Sequence, residues 1–211
     1  MSGVSEPELR HVGLTLEGVP PLKRAQVESD VFGFWAFLMS DALIFALLFA
    51  IYATMIGRYA GGPTPGQEFK FHSAFWETAL LLTSSFTYGG VSIALKHDAK
   101  RRWIVLFTAI TFCLGAYFVR MECHEFTTMF HDGATPEDSG YLSSFFVLVA
   151  MHGFHVTCGL IWMLLMGAQM AIHGIDQRVK VNFVRLGLFW HFLDIVWVCI
   201  FTIVYLHGLQ R

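Results

Sequence analysis

Formal charge is scarce in this sequence. Only 14% of its 211 residues are Asp, Glu, Lys or Arg, against about 25% in an average soluble domain. That is too little to give a core of this size a polar exterior, and it excludes an ordinary water-soluble fold. A basic excess is missing as well. The 14 Lys and Arg face 16 Asp and Glu, so no patch is set up to meet nucleic-acid phosphates. Proline is rare at six residues, which excludes collagenous and Pro-rich disordered chains. The four cysteines, Cys113, Cys123, Cys158 and Cys199, stand singly without a CxxC pair. Their spacing suits neither a disulfide framework nor a zinc site. The first 30 residues lack the short apolar core and cleavage site of a signal peptide.

What is present is apolar. Hydrophobic residues make up 55% of the chain, with 21 Phe and a mean hydropathy of +0.55. A helix needs about 20 mostly apolar residues to cross the hydrocarbon layer. Five segments reach that length, at about 31–57, 71–95, 103–121, 141–171 and 184–207. Continuous apolar runs are helices, because barrel strands alternate and are about half as long. The reading is an all-α polytopic membrane protein with one five-helix domain over 31–207. Residues 1–30 form an N-terminal tail and 208–211 a short C-terminus.

Sorting the Lys and Arg by side orients the spans. Arg10, Lys23, Arg24, Lys96, Lys100, Arg101, Arg102, Arg178, Lys180 and Arg185 fall on one side, and Arg58, Lys70, Arg120 and Arg211 on the other. The positive-inside bias puts the N-terminus in the cytoplasm and the C-terminus in the periplasm. The outer loop between spans three and four, with Glu122, Glu125, Asp132, Glu137 and Asp138, is correspondingly acidic. Trp103, Tyr59, Tyr141 and Tyr205 near the span ends suggest an interfacial aromatic belt.

A polar group in a span costs insertion energy, so each requires a reason. Asp41 lies near the middle of the first span, as either a proton-linked carboxyl or a hydrogen-bond partner of another helix. Glu77 and Glu125 fall near the outer ends of spans two and three, as interfacial carboxylates within reach of headgroups or of one another. His152 and His155 share a face of span four, and His191 and Asp194 a face of span five. Depth counting brings His155 and Asp194 together, so a structural polar network of His152, His155, His191 and Asp194 is expected. Haem or copper ligation and a proton relay are the alternatives for these histidines. In span two, Ser85 and Gly89 form a small-xxx-small pair that permits close helix packing.

Several stretches resemble a known family. "WHFLDIVWVCIFTIVYL" (190–206) is similar to the last-helix signature of subunit III of haem–copper terminal oxidases, and "MHGFHVTCGLIW" (151–162) to its HGxHV helix. "FWAFLMSDALIFALLFAIYA" (34–53) resembles its helix with a Ser-acidic pair, here Ser40 and Asp41, and "CHEF" (123–126) its acidic site at a helix end. Many members have seven spans. The five-span form is most similar to that of bacterial cytochrome bo-type ubiquinol oxidases. The resemblance places Asp41 where the family has a carbodiimide-reactive acidic residue, often Glu. It implies a non-catalytic subunit of a proton-pumping oxidase in the bacterial inner membrane. That subunit would stabilise subunit I and hold phospholipids in a V-shaped helical arrangement. Haems and copper are then expected in subunit I, with no metal and no catalytic residue in this chain. Partners are subunits I, II and IV, and ubiquinol is the substrate of the complex. A cytochrome c oxidase subunit III, a nitric oxide reductase accessory subunit and a stand-alone transporter remain as alternatives.

Overall fold

The computed structural model describes residues 21–57, 71–97, 99–133, 135–137 and 139–206. They form α1 (Pro21–Met55), α2 (Phe71–Lys96), α3 (Arg101–His131), α4 (Gly140–His173) and α5 (Gln177–Ile200). A π-helical segment, Phe201–Leu206, continues α5. All five helices are long and apolar enough to cross a membrane. The expected tail at 1–20, the loop at 58–70 and the C-terminus at 207–211 lie outside the described residues.

Three helices run further than hydropathy suggests. α1 begins at Pro21, inside the expected tail. Proline suits a first helical position because its missing N–H needs no partner there. The extension is held by Val27 and Val31 against Val181 and Val184 of α5, and by an Asp30–Arg185 ion pair at 3.1 Å. α3 passes through Arg120 and Glu122 and ends only at His131. Charge ends an apolar run without ending a helix; the helix stops just before Gly133, which adopts φ 84°. α5 starts at Gln177, earlier than the expected residue 184. At the other corner, Ser139 Oγ accepts from Leu142 N at 3.1 Å and caps the start of α4.

α2, α3, α4 and α5 pack in a closed ring, each against the next, and α1 lies outside it against α4 and α5. Half of the spanning residues of α4 and α5 are buried, against 17% for α1. The middle of the bundle is aromatic. Trp190 and Trp197, two turns apart on α5, are each 1% exposed. Their indole N–H groups donate to Ser84 Oγ at 3.1 Å and Thr78 Oγ1 at 3.0 Å on α2. Both hydroxyls pass their own protons to carbonyls of α2. Tyr88 donates to Phe183 O at 2.7 Å, Thr87 meets Thr111 at 2.8 Å, and Tyr52 meets Tyr141 at 3.0 Å. With water excluded, hydrogen bonds between helices and close packing replace the hydrophobic effect as glue. Tyr141 and Tyr205 are thereby corrected from belt residues to core residues, at 2% and 1% exposure. Trp103 does face outward, and Tyr59 lies outside the described residues.

Candidate functional site

Asp41 is buried on α1, and its Oδ2 lies 3.3 Å from Nε2 of His155 on α4. Nδ1 of the same imidazole is 2.7 Å from the carbonyl of Met151, one turn back. A carbonyl only accepts, so Nδ1 carries hydrogen. Nε2 is then the atom that faces Asp41, where Oδ2 lies close without making an aligned hydrogen bond. Phe45, Phe154 and Phe189 surround the ring. The site thus joins a carboxyl and an imidazole from different helices within an aromatic shell.

The expected contact of His155 with Asp194 is not formed. Asp41 takes that place, because α1 packs against α4 on the side that His155 faces. Asp194 Oδ2 instead lies 3.6 Å from Nδ1 of its own helix neighbour His191, and that nitrogen is 2.7 Å from Ser85 Oγ on α2. Ser, His and Asp meet here without forming a nucleophilic triad. In such a triad the acid and the serine occupy opposite ring nitrogens, whereas Ser85 and Asp194 share one.

His152 is separate again. Completely buried, it packs on Trp197 at 5.2 Å and edge-on to Phe118 at 5.9 Å between ring centres. Neither ring nitrogen has a hydrogen-bond partner among the described residues. The expected network of four residues is therefore three separate places. A bis-imidazole haem needs two histidines facing each other across one space. These three histidines point into different surroundings, and among the described residues no cluster of three or more His, Cys, Asp or Glu is arranged to hold a metal ion.

The carboxylates form the fourth polar place. Glu77 is fully buried, so of the two expected positions, at headgroups or beside Glu125, the first is corrected. It lies next to Glu125 and Ser73, and Glu122 of α3 lies near both glutamates. Tyr205 donates to Glu125 Oε2 at 3.4 Å. The carboxylate of Glu122 is pressed onto Gly153 of α4, where a Cβ would fall 2.6 Å from Oε2. Spans two, three and four and the end of five meet at this junction. The sequence reading set Glu122 and Glu125 in the acidic outer loop, because the apolar run ends near Arg120; both lie instead within α3, with Glu122 buried. Its signal was the i, i+3 spacing to Glu125 on a continuing helix.

The chain is a five-helix membrane bundle in which most buried polar side chains face other helices. The family model for cytochrome c oxidase subunit III matches residues 23–209, and the chain belongs to that family. It is 46% identical to cytochrome bo(3) ubiquinol oxidase subunit 3 of Pseudomonas putida, over 86% of this chain and 87% of that protein. It is 40% identical to quinol oxidase subunit 3 of Bacillus spizizenii, over 85% and 88%. To cytochrome c oxidase subunit 3 of Bacillus sp. (strain PS3) it is 38% identical, over 93% and 96%.

Proposed function

We propose that this chain is the non-catalytic third subunit of a proton-pumping ubiquinol oxidase, a complex that reduces oxygen to water. The observation that carries the reading is the 46% identity, along nearly the whole membrane domain, to a relative named as that subunit. The geometry supports a structural role, since Asp41, His155, Trp190 and Trp197 are committed to contacts between helices. Haems and copper belong in this reading to subunit I, which this chain stabilises, with subunits II and IV and bound phospholipids completing the assembly. The complex lies in the bacterial inner membrane with the N-terminus of this chain in the cytoplasm, as the distribution of Lys and Arg indicates. Asp41 is the proposed proton-linked carboxyl, because it is buried with Oδ2 3.3 Å from the imidazole of His155.

One alternative has an observation of its own: the 38% identity to a relative named cytochrome c oxidase subunit 3. Purification through a tag on this chain, in mild detergent, separates the two. The expected product contains haem and oxidises ubiquinol with oxygen uptake, while the chain dissociated from it is colourless. A complex that oxidises cytochrome c but not quinol would establish the alternative. A Soret band on the isolated chain would overturn both.

A further inference from the structure

Two short connections come together at one end of the bundle. Residues 97–100 join α2 to α3, and residues 174–176 join α4 to α5. Between them lies a cavity of about 130 Å³, lined by Ala94 and Leu95 of α2, Ala99, Ile104 of α3, Ile175, and Lys180 of α5. Four helix ends therefore contribute to one space. Its wall is apolar except for Lys180, which is half-buried. At about 30 Å³ per water, the space suits a phosphate with part of its glycerol and is far too small for a pair of acyl chains.

The charge around this cavity is one-sided. Residues 96–102 and 176–180 hold Lys96, Lys100, Arg101, Arg102, Arg178 and Lys180 against Asp98 and Asp176. Lys96, Lys100, Arg101, Arg102 and Arg178 are exposed. The edge of the hydrocarbon lies within a turn of them. Ile93 and Trp103 face outward at 63% and 44% exposure, and the Arg102 guanidinium lies over the Trp103 ring, 5.8 Å from its centre. An outward tryptophan beside cations marks the level of the head groups. A ligand here meets apolar walls, a half-buried ammonium and a surrounding positive field at the depth where phospholipid phosphates lie. A basic pocket between spans on the cytoplasmic side is suited to an anionic head group. A soluble phosphate gains nothing from the walls of Ala94, Leu95, Ile104 and Ile175, whereas the ester shoulder of a lipid packs on them.

We infer that this cavity is a binding site for the head group of an anionic phospholipid, with its phosphate at Lys180 and its acyl chains outside the helix ends. The inference deepens the proposed function and takes two things from it: bound phospholipid, and the cytoplasmic side for these connections. Lys180 selects for a negative head, Ala94 and Ala99 leave room for it, and the exposed cations draw anionic lipid toward the mouth.

The test uses the tagged chain purified with its complex and reconstituted in nanodiscs of phosphatidylcholine with a minority of phosphatidylglycerol. A photo-crosslinking amino acid at Ile175 is expected to give phosphatidylglycerol adducts enriched severalfold over the composition of the disc. The same group at Leu164, an outward apolar position of α4, should give adducts in the disc's own ratio. Lys180→Gln removes the charge and Ala99→Leu fills the cavity with the charge intact. Each should return Ile175 to the disc ratio, and Lys180→Arg should keep the enrichment. Adducts at Ile175 in the disc ratio, or adducts with a protein subunit in place of lipid, would overturn the site. So would loss of the enrichment on adding inorganic phosphate, compared with chloride at equal ionic strength, because the bound anion would then be a soluble one. None of these readouts depends on haem, so a preparation without haem and partner subunits would overturn the subunit reading and not the lipid site.

Discussion

Asp41 and His155 join the outermost helix to the ring of four. Oδ2 and Nε2 are 3.3 Å apart, and the proton on Nδ1 is committed to Met151 O. Oδ2 makes no aligned hydrogen bond in this arrangement, and the contact is attractive only when a proton lies between the two groups. With none, two lone-pair acceptors would face each other inside the bundle.

From this follows a pattern for substitutions at the pair. Asp41→Asn keeps an N–H donor toward Nε2 and should retain assembly. Asp41→Leu and His155→Leu each strand the other group and should destabilise by about 1–3 kcal/mol. The double leucine variant should lose less than the two single losses added together. Thermal unfolding of the detergent-solubilised protein checks all four, and strict additivity would show that the pair does not interact.

Two glycines of the spans should respond oppositely to alanine. A Cβ at Gly115 would fall 2.7 Å from Cη2 of Trp190, a ring fixed by its bond to Ser84. Gly115→Ala should therefore cost about 1–3 kcal/mol from overpacking. Gly167 has open space, so Gly167→Ala should be neutral or slightly stabilising through helix propensity. Melting temperatures of the two variants, measured side by side, decide this.

The approach of Glu122 to Gly153 predicts a compensating pair. Gly153→Ala alone drives a methyl group into the Glu122 carboxylate and should weaken the contact of α3 with α4. Glu122→Ala removes that carboxylate, and the double variant should recover much of the stability lost by Gly153→Ala. Failure of the second substitution to rescue the first would mean that the methyl is accommodated elsewhere.

Orientation is tested by fusions. A reporter active only in the periplasm should work after Thr135, between α3 and α4, and fail after Lys100, between α2 and α3. A cytoplasmic reporter should give the reverse pattern. The opposite result would invert the sidedness assigned from Lys and Arg.

The amino-acid sequence by itself determined the number of spans and their helical nature, because a bilayer rewards long apolar runs whatever their neighbours are. It also marked Asp41, Glu77, His152, His155, His191 and Asp194, since polar groups in such runs stand out by composition alone. It did not determine where helices end, as the continuation of α3 through Arg120 and Glu122 shows: hydropathy records the edge of the hydrocarbon, and helix termination is a backbone event at Gly133. Nor did it determine which polar groups meet. His155 and Asp194 match in depth, yet side-chain partners are chosen by helix rotation and by which helices adjoin, and a span's own sequence contains neither. Only the packed bundle turned His155 toward Asp41, hid Glu77 beside Glu125, and left His191 facing outward.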